Sequence, residues 1–313
     1  MTGTPEISRR AFILGATALA AAGCLARSTS GRIRLAAGDP GGLYLAFAEV
    51  LAQQLHRRYP QITVEVLATE GTVENLERLR AGDVDMGLAL ADVAERDRAK
   101  GDPRSAPLAV ARVYENYLQV IVRGVSAVQH LSDLRGTAIS IGPDGSGAAA
   151  TSRVLFEAAD LADQVDMVNY RLKEGLGRLA DGAVDALVWS GGVPTPAIAD
   201  LNAQTALRML DIALVAPAMS RLAGFPYVVR SVPVGDYVPP GIRSLGVPDL
   251  LLCRHDLSGD LVSAVVDVLA TDASNLVPPS IRGLQYLDTP SMIQTGVVPL
   301  HPAAIDEYRT LHG

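Results

Sequence analysis

Two parts of the sequence, about a hundred residues apart, repeat the same order of motifs. Residues 32–44 and 136–147 each join a short β-type run to a glycine turn, and a helical pattern follows each turn. Residues 79–85 and 179–185 also match, and each leads into an apolar strand. A chain that forms one α/β lobe twice has a groove between the two copies, and such grooves bind small molecules.

Composition and charge limit the class of protein. The 313 residues are 49% hydrophobic and 4% aromatic, which is enough for two compact domains of roughly 100–150 residues each. The net charge is −7, and no local cluster of Lys and Arg compensates for it. This balance argues against a nucleic-acid partner.

The N-terminus carries the features of an export signal. Arg9 and Arg10 precede an apolar run at 11–22, which is too short to span a membrane as a helix. The arginine pair resembles a twin-arginine signal, and residues 21–24 resemble a lipobox, in which Cys24 is lipidated. We therefore predict a signal peptide at 1–23 and a lipid-anchored tether at 24–31, which is the chain's only attachment to the outer face of the cell membrane. The alternative is an ordinary cleaved signal in which Cys24 is incidental.

Strands alternate with helices along the mature chain, which is typical of parallel sheets packed between helix layers. The predicted fold class is α/β, with lobe I at 32–122 plus 248–313 and lobe II at 123–247. The predicted strands are residues 33–37, 62–68, 86–90, 118–123, 138–141, 167–170, 186–189 and 245–254, and the predicted helices are 43–59, 72–80, 148–161, 172–179 and 261–275.

Four glycine-rich turns, at 41–44, 70–75, 145–147 and 190–192, follow predicted strands. In open α/β sheets, ligands lie beyond the carboxyl ends of the strands, where the next helix begins with unpaired N–H groups. Glycine lets the backbone approach a ligand, and helix-end amides favour an anion such as a carboxylate. A helix cap explains any one of these turns alone, but four at equivalent places in two repeats indicate a binding cleft.

Several motifs resemble those of the TAXI family, the extracytoplasmic solute-binding receptors of one branch of the tripartite ATP-independent periplasmic (TRAP) transporters. The resemblance covers nearly the whole mature chain in the family's order. It rests on Gly41-Gly-Leu-Tyr44, Glu70-Gly-Thr-Val-Glu-Asn-Leu76, Ala81-Gly-Asp-Val-Asp85, Ile141-Gly-Pro-Asp-Gly-Ser-Gly147, Asp181-Gly-Ala-Val-Asp-Ala186 and Val298-Pro-Leu-His-Pro302. It implies a periplasmic-binding-protein-like fold (type II) whose cleft closes on a small carboxylate or amino acid, similar to glutamate or glutamine. It also implies that the closed form docks on the membrane permease subunits of a TRAP transporter.

The resemblance also implies which residues line the cleft. By this match the first lobe contributes Gly42, Leu43, Tyr44, Gly71, Thr72, Asn75, Asp92 and Tyr114, and the second contributes Gly145, Ser146, Gly147, Ser190, Gly191 and Gly192. We add Trp189, the single tryptophan, because it ends a predicted strand at the cleft edge.

Three of these residues have an alternative interpretation. Tyr44 is equally well explained as a core aromatic of the first helix, and Asn75 as a cap of its own turn. For Trp189, packing within the lobe competes with stacking on a ligand.

No catalytic, metal-binding or cofactor-binding residue is predicted. Asp85 and Asp185 occupy equivalent places, but turn-bonding carboxylates explain both. The five histidines have no metal-ligand spacing, and a P-loop and a nucleophile elbow are both missing from the sequence. Cys253, within an apolar run, is interpreted as a small buried hydrophobe.

The leading hypothesis is a lipid-anchored solute-binding protein that delivers its solute to a TRAP-type permease. The first alternative is the same receptor acting as the ligand-sensing input of a membrane histidine kinase. A second alternative is a cytoplasmic enzyme of the related precursor-biosynthesis fold, against which the export signal argues.

Overall fold

A mixed β-sheet of ten strands runs through both halves of the chain. The structure, a computed structural model, describes residues 29–278 and 287–312. The predicted signal peptide at 1–23, with Arg9 and Arg10, lies outside the described residues, as do Cys24 and most of the predicted tether.

Strands and helices alternate as the sequence predicts, and further helices lie between them. The strands are β1 (Gly31–Ala36), β2 (Ile62–Leu67), β3 (Met86–Leu90), β4 (Leu108–Arg123), β5 (Ala138–Ser140), β6 (Asp166–Val168), β7 (Ala186–Gly191), β8 (Leu207–Met209), β9 (Val228–Ser231) and β10 (Arg243–Cys253). The helices are α1 (Leu43–Arg58), α2 (Thr72–Ala81), α3 (Ala91–Lys100), α4 (Gly147–Ala158), α5 (Leu172–Ala180), α6 (Pro196–Asn202), α7 (Ala216–Ala223), α8 (Gly259–Thr271), α9 (Thr289–Met292) and α10 (Pro302–His312).

The sheet topology repeats one unit. The strand order is β2-β1-β3-β10-β4-β7-β5-β6, with β8 beside β4 and β9 beside β10. β1 is parallel to β2 and β3, and β5 is parallel to β6 and β7. The unit β1-α1-β2-α2-β3 is therefore repeated as β5-α4-β6-α5-β7, which confirms the predicted α/β fold of two similar lobes.

β4 and β10 join the two units at the centre of the sheet. They are antiparallel to each other, β10 also pairs with β3, and β4 also pairs with β7. β4 begins at Leu108, ten residues before the predicted strand at 118–123, and β10 continues through the predicted lobe boundary at 247–248. The two lobes thus share one continuous sheet, so any change in their relative orientation must be absorbed by β4 and β10.

The paired aspartates Asp85 and Asp185 have the same structural role. The Asp85 carboxylate accepts the backbone N–H of Arg34 at 2.8 Å, and the Asp185 carboxylate accepts that of Ala138 at 3.2 Å. Each aspartate thereby ties the turn before β3 or β7 to the first strand of its own unit.

Apolar side chains form a core in each lobe and a third cluster between the lobes. Phe47 lies in the first lobe's core and Tyr237 in the second lobe's core. The third cluster contains Leu76 and Leu90 of the first unit together with Leu155 and Phe156 of the second. Apolar side chains of the two lobes are therefore packed together in one buried cluster.

Among the described helices, none is both long enough and apolar enough to cross a membrane.

Candidate functional site

A cavity lies between the two lobes, where helices α1, α2 and α4 begin. The cavity is small, with a volume of about 40 Å³, which is well below the roughly 300–1,000 Å³ of sites that hold drug-sized ligands. Its lining residues are Gly38, Asp39, Gly42, Leu43, Tyr44, Glu70, Gly71, Thr72, Leu90, Asn116, Ser146, Gly147, Ala148, Trp189 and Ser190. Nine of the fifteen residues predicted for the cleft are in this set: Gly42, Leu43, Tyr44, Gly71, Thr72, Ser146, Gly147, Trp189 and Ser190.

The three helices present their N-terminal ends to this cavity because each follows a turn after a strand. The N-cap residues are Gly42 for α1, Gly71 for α2 and Ser146 for α4. Gly42 and Gly71 have no side chain to cap their helices, whereas the Ser146 hydroxyl accepts the N–H of Ala149 at 3.0 Å. Helix N-termini carry partial positive charge, so this part of the cavity favours an anionic group.

A hydrogen-bonded group of side chains lies at another part of the cavity wall, where Tyr44, Thr72 and Asn116 line the cavity and Asp249 is buried behind them. The Tyr44 hydroxyl donates to Asp249 Oδ1 at 2.5 Å and lies 3.3 Å from Thr72 Oγ1. Asn116 Nδ2 donates to the same Asp249 oxygen at 3.3 Å. Burial holds the pKa of the Asp249 carboxyl well above its ordinary value of 3.8, and the hydrogen bond from Tyr44 opposes that shift only in part.

Several buried polar atoms around the cavity have no hydrogen-bond partner within the described part of the chain. Those of lining residues are Asn116 Oδ1, Trp189 Nε1 and Ser190 Oγ, and those of residues behind the wall are Tyr114 Oη and Asp249 Oδ2. Because leaving a buried polar group unpaired costs about 1–3 kcal/mol, a cluster of such atoms at one cavity is typical of a site that receives a polar ligand.

Contacts across the mouth of the cleft hold the lobes together. Asp39 of the first lobe accepts hydrogen bonds from Arg171 Nη1 at 3.1 Å and from the Leu172 N–H at 2.9 Å. Glu70 accepts the N–H of Gly145 at 2.9 Å, and the Gly145 carbonyl accepts the N–H groups at the start of α2. These contacts describe a closed arrangement of the two lobes.

Three predicted residues of the first lobe lie outside the cavity wall. Asn75 is fully buried, and its amide bonds the carbonyls of Ala37 and Leu88 at 2.7 and 2.8 Å, which fixes α2 to β1 and β3. Tyr114 packs edge-on against Tyr44, with 6.2 Å between the ring centroids.

Asp92, also fully buried, bonds groups of the other lobe. It accepts hydrogen bonds from Thr151 at 2.9 Å and from Tyr227 at 2.7 Å. It therefore belongs to the contact between the lobes and is not part of the cavity wall.

The remaining predicted residues support the second lobe's turns. Gly145 contacts Glu70, as described above. The carbonyls of Gly191 and Gly192 accept hydrogen bonds from Gln119 Nε2 at 3.3 and 3.2 Å. The Trp189 ring lies beside Gly42, where an added Cβ would be 3.3 Å from Trp189 Cζ2, so Trp189 contacts the first lobe as well as the cavity.

Sequence reasoning missed six lining residues, which are Gly38, Asp39, Glu70, Leu90, Asn116 and Ala148. Asp39 lies two residues before the predicted glycine turn at 41–44, and Glu70 is the first residue of the one at 70–75, so an acidic residue at or near such a turn was an available signal. Asn116 had no such signal, because it lies in the half of β4 that the sequence did not predict.

No group of three or more His, Cys, Asp or Glu side chains that could hold a metal ion occurs within residues 29–278 and 287–312. Cys253 is buried and free, as its apolar surroundings in the sequence predict.

Comparison with known proteins gives a family match and a set of similar folds. The NMT1-like family model matches residues 35–310. An ancestral arginine-binding protein bound to arginine is 14% identical, with a TM-score of 0.52 over 79% of this chain and 95% of that chain. A Xanthomonas citri protein bound to ATP is 14% identical, with a TM-score of 0.50 over 90% of this chain and 96% of that chain. A protein named Tv2483, bound to L-arginine, is 14% identical, with a TM-score of 0.50 over 76% of this chain and 83% of that chain. At such low identity these likenesses establish the fold alone, which is that of the periplasmic binding proteins.

Proposed function

The chain belongs to the NMT1-like family, and from that premise we propose that it is an extracytoplasmic solute-binding protein. Its solute is a small carboxylate or amino acid, similar to glutamate or glutamine, and it is captured when the two lobes close. Closure shifts an equilibrium between open and closed forms, because the solute contacts both lobes only in the closed form.

One observation carries this proposal. The N-terminal ends of α1, α2 and α4 and a set of buried, unpaired polar atoms surround one cavity between the lobes. The starts of α1 and α4 suit a carboxylate, whereas the first amides of α2 are bonded to the Gly145 carbonyl. The unpaired donors and acceptors suit the other polar groups of a small solute. The arginine complexes among the similar folds agree with an amino-acid-sized ligand.

The finer assignment rests on the TAXI resemblance and remains a proposal. In it the protein is held at the outer face of the cell membrane by lipidated Cys24 and delivers its solute to the permease subunits of a TRAP transporter. Replacing Cys24 by Ala then releases the protein from the membrane fraction, and unchanged membrane retention would contradict the anchor. Arg9→Lys together with Arg10→Lys blocks export if the twin-arginine route is used.

The direct test of solute binding is a thermal shift screen of the purified protein. The panel contains the standard amino acids, their 2-oxo acids and short mono- and dicarboxylates. A ligand at a hundred times its dissociation constant stabilises the folded protein by about 2.7 kcal/mol, so a true solute raises the melting temperature selectively and saturably. A panel without any such compound would contradict the proposed function.

A further inference from the structure

Helix α5 of the second lobe is capped by a residue of the first lobe. The buried Asp39 carboxylate accepts the N–H of Leu172, the first residue of α5, at 2.9 Å. The side chain of Arg171, at the N-cap position, does not cap the helix and instead donates to Asp39 at 3.1 Å. Asp39 therefore replaces the side-chain cap that a helix ordinarily receives from its own N-cap residue.

Helix α2 of the first lobe is capped in turn by the second lobe. Its N-cap residue, Gly71, has no side chain to cap it. The Gly145 carbonyl accepts the N–H groups of Val73 and Glu74, in the first turn of α2, at 3.0 and 3.1 Å. The Gly145 N–H also donates to Glu70 Oε2 at 2.9 Å. This turn of the second lobe is therefore bonded through both its N–H and its carbonyl to the start of α2.

The two caps are equivalent under the repeat of the fold. Asp39 lies in the turn between β1 and α1, and Gly145 lies in the turn between β5 and α4, so each follows the first strand of its unit. The capped helices, α2 and α5, are likewise equivalent members of the two units. The first turn of each unit thus caps the second helix of the other unit. Because every one of these bonds joins residues of different lobes, separation of the lobes breaks them.

We propose that this exchange of caps holds the lobes closed independently of the solute, and that Asp39 is the positioning residue whose carboxylate sets the equilibrium between open and closed forms. This rests on the proposed function, which requires lobe closure, and identifies contacts within the chain that favour closure. Because these contacts do not involve the solute, loss of a cap should lower the affinity for every solute by the same factor.

The first arm of the test measures the distance between the lobes in the solute-free protein by double electron–electron resonance. Spin labels are attached at Glu77→Cys of α2 and Glu157→Cys of α4, both exposed positions. The background is Cys24→Ala, in which the other native cysteine, Cys253, is buried. Asp39→Ala removes the acceptor of the α5 cap, so the distances should shift to longer values. Unchanged distances would overturn the proposal, since a residue that acts only by touching the solute leaves the solute-free protein unaltered.

Asp39→Asn is the conservative variant. An asparagine side-chain oxygen can still accept the Leu172 N–H, whereas the ion pair with Arg171 is lost. We expect Asp39→Asn to weaken solute binding by about fivefold or less. Asp39→Ala should weaken it about tenfold, because it loses the helix cap as well as the ion pair. Equal losses in the two variants would overturn the proposal, because the charge alone would then account for the effect of Asp39.

Leu172 allows a test from the other end of the bond, and it is not among the described lining residues of the cavity. Leu172→Pro removes the N–H that Asp39 accepts, and proline fits the first position of a helix. Arg171 before it already has the extended backbone that a following proline requires, with φ −61° and ψ 155°. The matched control is Leu172→Ala, which also loses the buried side chain but keeps the N–H. Leu172→Pro should show longer distances and about fivefold weaker binding than Leu172→Ala.

The double variant of Asp39→Ala with Leu172→Pro separates loss of the cap from unrelated damage. Both changes remove the same hydrogen bond, so the double variant should have the distances and the affinity of Asp39→Ala alone. Additive effects would overturn the proposal, because they would mean that the two residues act separately. The distance measurement needs no solute, so a failed solute screen contradicts the proposed function while the distances still decide the role of the caps.

Discussion

Gly147, the first residue of α4, faces Thr72 and Leu90 across the cleft. A Cβ added at Gly147 would lie 2.6 Å from Leu90 Cδ1 and 2.6 Å from Thr72 Oγ1. Both neighbours are buried and belong to the other lobe, so they cannot move aside cheaply. The absence of a side chain at this position is therefore a condition for closure of the lobes.

We expect Gly147→Ala to weaken solute binding at least about tenfold without unfolding either lobe, because opening of the cleft relieves the clash. The matched control is Gly177→Ala in α5, where an added Cβ meets no atom within 4 Å. The control should bind normally and gain up to about 1 kcal/mol in the free energy of unfolding. Titration calorimetry and urea denaturation measure both quantities, and normal binding by Gly147→Ala would show that closure does not bring α4 against Thr72.

Asp249 should also make the stability of the protein depend on pH. Its carboxyl has a raised pKa in the folded state, so its contribution to stability is fully present below its unfolded value of 3.8 and is lost as the pH rises through the folded pKa. The side-chain amide that Asp249→Asn introduces does not titrate. In the absence of solute, the variant should therefore gain stability relative to the original protein as the pH is raised above about 4.

Urea denaturation of both proteins across this pH range tests that expectation. The charged groups that act on Asp249 include Asp92 on α3 and Glu115 and Arg112 on β4, and Tyr44 on α1 bonds it. All are present in both proteins, so to first order their own titrations cancel in the difference. A difference in unfolding free energy that does not change with pH would contradict a raised pKa at Asp249.

At the scale of elements, the sequence predicted those parts of the fold that depend on local patterns. β3 has the predicted bounds, and the helix predicted at 72–80 is α2 with one residue added. The first half of β4 was not predicted, because Arg112, Glu115 and Asn116 interrupt its apolar pattern. Arg112 and Glu115 are stabilised there by an ion pair with each other, and Glu115 also pairs with Arg230 of β9.

The candidate site likewise has features that the sequence could predict and features that it could not. Its glycine turns were predictable because turn formation and helix starts are properties of a few adjacent residues. The pairing of Asn116 with Asp249 was not, because it depends on the alignment of β4 with β10 across 133 residues of chain. Asp249 itself stands between Pro248 and Leu250 in an apolar strand, where the sequence contains no sign of its partners.

The ion pairs of Arg171, in the turn before α5, should contribute modestly to the free energy of lobe closure. Arg171 contacts Asp39 and Glu70 of the other lobe but is 51% exposed, and exposed ion pairs contribute less than about 1 kcal/mol. Arg171→Gln should therefore weaken solute binding by only about fivefold or less, and the loss should shrink in high salt.

Arg178→Gln is the matched control for Arg171→Gln. Arg178 is 49% exposed and pairs with Glu174 of its own helix, so its loss should leave the affinity unchanged at every salt concentration. Stopped-flow measurement of solute dissociation in low and high salt compares the two variants. Equal dissociation rates for Arg171→Gln and the unaltered protein would mean that this ion pair does not act in closure.

For the whole molecule, one continuous sheet connects two repeated units, and the cavity lies where the helices of both units begin. β4 and β10 are the strands that both lobes share at the centre of the sheet. Trp189, the single tryptophan of the sequence, lines the cavity from the second unit and contacts Gly42 of the first. Its environment therefore reports both occupancy of the cavity and the relative position of the lobes.

Titration of Trp189 fluorescence with the compound that gives the largest thermal shift shows whether this cavity binds a small solute by lobe closure. We predict a saturable change in emission whose midpoint equals the dissociation constant from calorimetry. In Gly147→Ala the midpoint should lie at a solute concentration at least about tenfold higher. A compound that stabilises the protein saturably while Trp189 emission stays constant would place the binding site elsewhere in the molecule.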